Sequence, residues 1–323
     1  MTAHAPILEA ERLAAPETPF QQVWRTFRKD RLAMAGLYVL IGLVALALLG
    51  KLLTEWWVVF DPAAVRLPDK LRPPFSTPSA AVPAAQLPAF GVYFFGTDEL
   101  GRNVFARMLQ GSFVSLSVGF VAVSISLAIG ITIGGLAGFY GHRKWGPFSI
   151  DGLLMRFTDV VLCFPTFFLI LTVVALLPPS IYNIMAVIGL TSWMSTARFV
   201  RAEFLSLRER DFVVAAHALG LPEWRIIFRH MVPNALSPVF VSASIDVAYA
   251  ILTESALSFL GFGVRPPLAT WGNILADGRD FIFDAPWLFA IPGSAILIVV
   301  LAFNLVGEGL RDAMNPKLRK RSS

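Results

Sequence analysis

The sequence predicts an all-α integral membrane protein with about six transmembrane helices and both termini on the cytoplasmic side. Three observations carry this expectation. Over its 323 residues the chain is 56% hydrophobic and only 15% charged, against about 25% charged in ordinary soluble domains. The missing charge is concentrated in long runs almost free of ionisable side chains, which hold more apolar surface than one globular core hides. The Lys and Arg residues sit in short clusters between those runs, the way cytoplasmic loops of membrane proteins are marked.

A helix rising about 1.5 Å per residue needs about 20 mostly apolar residues to cross about 30 Å of hydrocarbon. The first candidate runs from Leu32 to Leu53 behind the basic group Arg25, Arg28, Lys29 and Arg31. Residues 1–31 are polar, with Glu9, Glu11, Arg12 and Glu17, so no cleavable signal is expected and the first span remains as an anchor. The second span covers Phe113 to Tyr140, and its small residues (Gly119, Gly130, Gly134, Gly135, Gly138) should let neighbouring helices approach closely. The third covers Leu153 to Leu177, with Pro165 near its middle. The fourth runs from Ile181 to Val200, the fifth from Ala235 to Leu260 and the sixth from Trp287 to Leu310.

Counting basic residues sets the orientation. With the N-terminus inside, segments 1–31, 141–156, 198–230 and 311–323 face the cytoplasm and carry 19 Lys and Arg, whereas 51–111 and 263–286 face outward and carry 8. The opposite orientation would put the most basic loop outside and is rejected. The expected organisation is a tail (1–31), a first helix (32–53), an extracytoplasmic segment (54–111), a five-helix core (112–314) and a basic tail (315–323). Segment 54–111 carries Pro62, Pro68, Pro73, Pro74, Pro78, Pro83 and Pro88, so a small, partly irregular cap is expected rather than a long helix. The net charge of +5 is explained by the loop clusters without invoking a nucleic acid. Cys163 is the one cysteine, so no disulfide framework exists, and its place in an apolar run makes it a packing residue.

The loop between the fourth and fifth spans, residues 208–233, is the most patterned polar stretch. Phe212, Ala215, Ala216 and Leu219 stand at i, i+3, i+4 and i+7, one face of a helix, with Asp211 placed to cap its start and Gly220 suited to its left-handed exit. Pro222 and Glu223 open a second short helix, where Trp224, Ile227, Phe228 and Met231 repeat the spacing until Pro233. These apolar stripes lie either on the membrane surface and the protein's own base or in a groove of another subunit. Spacing alone leaves both open.

Two acids lie inside the fifth span, Asp246 and Glu254, where carboxylates are costly and face a bundle interior or an aqueous cavity. Either they line a translocation path, or each accepts hydrogen bonds from a neighbouring helix. Asp159 is placed to cap or anchor the third span, and Pro165 and Pro292 to kink their helices. Asp98, Glu99 and Arg102 either contact a delivered ligand or pair among themselves. His4, His142, His217 and His230 show no metal-ligand spacing. The sequence has no phosphate-binding Gly-x-x-x-x-Gly-Lys-[Ser/Thr] loop, no His-Glu-x-x-His and no Gly-x-Ser-x-Gly, so an enzyme of those types is not expected.

Ala215-Ala216, three residues, Gly220 and then His230-Met-Val-Pro233 resemble the "EAA" loop of ABC importer permeases, departing from it at Val214, where the pattern has Glu, and at His230, where it has Ile. Gly96-Thr-Asp-Glu-Leu-Gly-Arg-Asn103, Leu257-Ser-Phe-Leu-Gly-Phe-Gly263, Trp271-Gly-Asn273 and Gly309-Leu-Arg-Asp-Ala-Met-Asn-Pro316 are similar to the motifs of the dipeptide/oligopeptide/nickel branch, and the N-terminal extension to its C-type subunit. The resemblance implies that the 208–233 loop is a coupling helix docking into an ATPase, through Phe212, Ala215, Ala216, Leu219, Gly220, Pro222 and Trp224. It implies as partners a homologous permease, two ATPases that bind the ATP and Mg²⁺, an extracytoplasmic solute-binding protein and the bilayer of a bacterial or archaeal plasma membrane. This chain would carry no cofactor. Di- or oligopeptides are the first expected cargo, with nickel and oligosaccharides also within the branch. The competing class is an ATP-independent channel or secondary transporter, which needs no docking elbow.

Overall fold

The computed structural model describes residues 19–57 and 60–314. The expected tails lie partly outside them, at 1–18 and 315–323, as does His4. Residues 19–31 hold more than a polar tail. Helix α1 (Pro19–Phe27) turns Phe27 inward onto Ala33 and the last long helix. Asp30 then starts α2 (Arg31–Lys51), its carboxylate accepting from the Leu32 and Ala33 N–H groups at 2.9 and 3.2 Å. One side of α2 packs on the bundle through Ala33, Gly36 and Ala47, while Leu32, Tyr38, Ile41 and Leu48 stay exposed, as a lipid-facing surface requires.

After α2 the chain forms the expected cap of short turns, then α3 (Val104–Tyr140). This helix starts nine residues before the Phe113 expected from hydropathy. Its first turns are too polar to read as a span, yet Arg107 and Gln110 are buried and paired, and Asn103 caps the end. At about 1.5 Å per residue its 37 residues reach about 55 Å, well beyond the hydrocarbon thickness. Helix α3 runs along α6 (Ile181–Arg208) for most of its length. Glycines make that approach possible: a Cβ on Gly138 would lie 2.5 Å from the Phe204 Cβ, and one on Gly189 2.7 Å from the Ala122 carbonyl.

Between them a two-residue hairpin (β1, Lys144–Trp145; β2, Phe148–Ser149) leads to α4 (Ile150–Leu162) and α5 (Thr166–Leu176). The third span was expected to be one helix; it is two, bent by 77°. Pro165 lacks the N–H that would continue the ladder and pushes Phe164 out of helical geometry, so a new helix starts instead of a mild kink. Cys163 sits exposed at the bend, not packed as expected. Asp159 anchors α4 by pairing with Arg198 of α6, and Asp151 holds Arg201, with Nη2 to Oδ2 at 2.6 Å.

Helix α9 (Val232–Phe259) is followed by a short α10 (Trp271–Asp277) and by α11 (Trp287–Met314), which continues through Pro292. By length and apolarity four helices among the described residues suit a membrane, and the bent α4–α5 pair makes a fifth. Helix α6, the expected fourth span, has 28 residues but is more polar. Its faces are largely buried by α3 and its neighbours, so little of it has to satisfy lipid.

Candidate functional site

The elbow follows α6 directly. Helix α7 (Asp211–Ala218) ends at Gly220, whose φ of +72° is the left-handed exit that glycine adopts at least cost, and Pro222 precedes α8 (Glu223–Arg225). Asp211 is the first helical residue; the cap position belongs to Arg210 and has no side-chain hydrogen bond.

The expected stripes do not hold as single faces. Val213 and Ala216 turn inward onto Phe139, Val200 and Phe204, while Phe212, Ala215 and Leu219 face out, Leu219 at 80% exposure. In the second piece Ile226 and Met231 are buried and Trp224 and Phe228 are exposed. The cause is a π-helical turn over Ile226–Met231. Its wider i→i+5 repeat puts Ile226 and Met231 on one side, where a 3.6 period would have chosen Ile227 and Met231. The elbow is thus split between an anchoring side and an apolar outward side made of Phe212, Leu219, Trp224 and Phe228. His217 stacks on Phe139 and Arg143 pairs with Glu223 at 2.5 Å, tying the elbow to the last turn of α3 and the chain just beyond it.

At the opposite end of α3, motifs distant in sequence meet. Gly96 (φ +73°) and Gly101 (φ +71°) let residues 96–103 fold tightly against Arg66–Arg72. Asp98 is fully buried and pairs with Arg102 at 2.7 Å and Arg107 at 2.6 Å. Both guanidiniums also reach Asp277 of α10, at 3.1 and 2.8 Å. Of the two readings of this charged run, mutual pairing is the one found; Glu99 takes no part. Nearby, Asn273 and Thr270 form a reciprocal capping box, Gln110 accepts from the Ala269 N–H, and Ser115 accepts from the Trp271 N–H. Gly272 packs on the α9 turn at Ser255 and Ser258, where a Cβ would meet the Ser255 Cα at 2.7 Å. Three of the sequence motifs are therefore parts of one polar junction joining cap, α3, α9 and α10.

Asp246 and Glu254 occupy different surroundings. Eight helical steps leave them about 80° apart in rotation and about 12 Å apart along the axis. Glu254 is fully buried beside the junction, with Oε1 accepting from Ser258 at 2.7 Å and Oε2 unpartnered. Asp246 is half-buried between α3 and α6, facing a small cavity with Ser126, Ser192 and Tyr249. The pairing of Arg107 with Asp277 and the meeting of Ser126 and Ser192 at the Asp246 cavity carried no signal in the sequence, since each brings remote segments together. Among the described residues no group of three or more His, Cys, Asp or Glu could hold a metal ion.

Comparison with known proteins agrees with this architecture. A family model described as the binding-protein-dependent transport system inner membrane component matches residues 130–320, and one described as the N-terminal TM domain of oligopeptide transport permease C matches residues 18–74. The dipeptide transport system permease protein DppC of Alkalihalophilus pseudofirmus is 38% identical over 302 residues, covering 94% of this chain and 91% of that protein. The oligopeptide transport system permease protein OppC of Bacillus subtilis is 33% identical over 294 residues, covering 91% and 88%. A chain of the inward-facing MetNI methionine ABC transporter matches with a TM-score of 0.50 at 17% identity, over 66% of this chain and 98% of that one, a likeness of fold. The chain is a multi-pass membrane protein and belongs to the binding-protein-dependent ABC transport permeases, in the C-subunit branch of the dipeptide and oligopeptide systems.

Proposed function

We propose that this chain is one of two permeases in an ATP-driven importer of di- or oligopeptides in a bacterial or archaeal plasma membrane. The observation that carries the reading is the elbow: four large apolar side chains face outward on a segment whose other side is anchored to the bundle. Such a surface asks for a partner. The partner is an ATPase subunit, with Phe212, Ala215, Leu219, Gly220, Pro222 and Trp224 at the contact and Ala216 holding the elbow from behind. ATP and Mg²⁺ belong to a pair of those ATPases. The basic bias of the loops supports an elbow and termini on the cytoplasmic side, with the cap outside, facing a solute-binding protein.

Mechanically, closure of the ATPase dimer displaces the elbow. Because α6 enters it at Arg208 and α9 leaves it at Val232, that displacement is passed to both helices and shifts the bundle between inward-open and outward-open states. Peptide names among the relatives support the cargo class. Affinity purification of the tagged chain from cells producing all components tests the reading. An ATPase should co-purify, and Gly220→Trp should release it. Retention of the ATPase with undiminished transport by Gly220→Trp would refute the assigned contact.

A further inference from the structure

Asp246 lies near the middle of the membrane-spanning part of α9, yet among the described residues it has no hydrogen-bond or ion-pair partner. A bare carboxylate at that depth is costly, and such groups face water-filled space or an opposing charge. Two further groups around it are also unsatisfied. Ser126 is 3% exposed and hydrogen-bonds to no described residue, and the Ser192 hydroxyl is buried without a partner. These three residues come from α9, α3 and α6 and surround a cavity of about 20 Å³, room for one water-sized group. Tyr249 borders the same cavity and is half exposed on the side of α9 that also presents Ile245 and Leu252.

We infer that this cavity is a subsite for the ammonium group of the cargo, an inference that rests on the peptide-permease reading above. The chemistry fits in three ways. A primary ammonium has three N–H donors, and Asp246, Ser126 and Ser192 line the cavity with side-chain oxygens that have no partner among the described residues. A single carboxylate balances a single positive charge, whereas a hard dication takes six or more oxygens. The space admits the head group and not the chain behind it, so the rest of a peptide lies outside along the exposed side of α9, with the Tyr249 ring flanking the cation. The unpaired acid also argues that this side of α9 faces the path and not lipid. Glu254, fully buried and bonded to Ser258, has no comparable opening.

The same cationic chemistry could come from a Lys or Arg of the second permease, and the test separates the sources. The complete transporter, with both permeases, ATPases and binding protein, is reconstituted in proteoliposomes and ATP-driven uptake of radiolabelled dialanine is measured. Asp246→Asn keeps size and hydrogen bonding but removes the charge, and should lower uptake about tenfold or more. Asp246→Glu should restore most of it, and Ser126→Ala with Ser192→Ala should lower uptake by about threefold. The second permease should co-purify with the Asn variant in wild-type proportion. Wild-type uptake by Asp246→Asn would overturn the inference and make the carboxyl a structural group. Loss of the second permease from that variant would overturn it in favour of an inter-subunit ion pair. A wild-type complex that hydrolyses ATP but takes up neither dialanine nor pentaalanine refutes the peptide reading itself, and this subsite with it.

Discussion

Arg107, in the first turn of α3, donates to Asp98 of the cap at 2.6 Å, and its other terminal nitrogen lies 2.8 Å from Asp277 of α10. Arg102 makes the same pair of contacts, so two guanidiniums alternate with two carboxylates. The arrangement joins segments 175 residues apart and pins the cap to the bundle. The cap is therefore an extension of the membrane domain, tied directly to α3 and α10.

Removing one carboxylate from this cluster leaves two buried cations to share the other. Asp98→Asn should destabilise the protein by about 3–5 kcal/mol, because Arg102 and Arg107 are 8% and 3% exposed and would have only the Asp277 carboxylate to balance two charges. Thermal unfolding in detergent measures this. Asp277, which is partly exposed, should cost less when replaced by Asn. Equal effects of the two replacements would mean that burial does not govern the cluster.

The helix seam gives a second prediction. Gly134 and Gly138 of α3 face Ala197 to Phe204 of α6 with no space for a side chain. Gly138→Leu should cost about 1–3 kcal/mol or separate the helices, whereas Gly42→Leu, with open space around it, should be neutral. The detergent melting temperature reads both, and a Gly138→Leu protein as stable as wild type would show that the seam can shift.

How far these features could be read from sequence depends on which physical constraint dominates each one. Helices α2, α3, α9 and α11 were legible because lipid demands a long apolar run whatever the neighbours. The bend site was legible at Pro165, but its 77° size was not, since that depends on what α5 packs against. Gly220 was legible as a left-handed turn from its type and position. Phe212, Leu219, Trp224 and Phe228 were legible as stripe members, but not which members turn inward, and in the second piece the π-turn at Ile226–Met231 changes the repeat that the reading assumed. The motifs at 96–103, 257–263 and 271–273 were visible one by one. Their convergence was invisible, since no local pattern reports that Arg102 will meet Asp277.

The two sides of the elbow should respond differently to charge. Leu219→Glu changes an exposed side chain and should leave folding intact while weakening capture of the ATPase by about tenfold, as loss of a central apolar contact does. Val213→Glu buries an unpaired charge against Phe139 and Phe204 and should abolish the folded protein. Yield of monodisperse protein separates the two effects. A misfolded Leu219→Glu variant would mean that Leu219 packs inward.

The cap should carry its own pH dependence through Asp69 and Tyr93. Burial works against the Asp69 carboxylate, but the Tyr93 hydroxyl at 2.7 Å, the Ser79 N–H and the Arg72 charge outweigh it and hold the group below its ordinary value of 3.8. The folded carboxyl therefore releases its proton more readily than the unfolded one, so its stabilisation is complete above 3.8 and is lost as pH falls below that value. Burial and then the neighbouring carboxylate push the Tyr93 phenol up, so it stays a donor throughout. Pepsin cleavage within residues 60–103 should begin only below about pH 4, and Tyr93→Phe should move its onset upward. Identical cleavage from pH 2 to pH 5 would remove Asp69 from the stability of the cap.

Glu254 should behave as a joint and not as a transport group. Its Oε1 accepts from Ser258 on the turn that receives Gly272, so it braces α9 where α10 begins. Glu254→Gln keeps the acceptor and exchanges the unpartnered Oε2 for an amide, removing the ionisable group without changing the shape. Uptake should stay within about twofold of wild type. Glu254→Leu leaves Ser258 buried without its acceptor and should cost about 1–3 kcal/mol in stability. Paired measurements of uptake and melting temperature discriminate the roles. If Glu254→Gln melts like wild type yet takes up nothing, the negative charge itself is used in transport, and the division of labour between Glu254 and Asp246 fails.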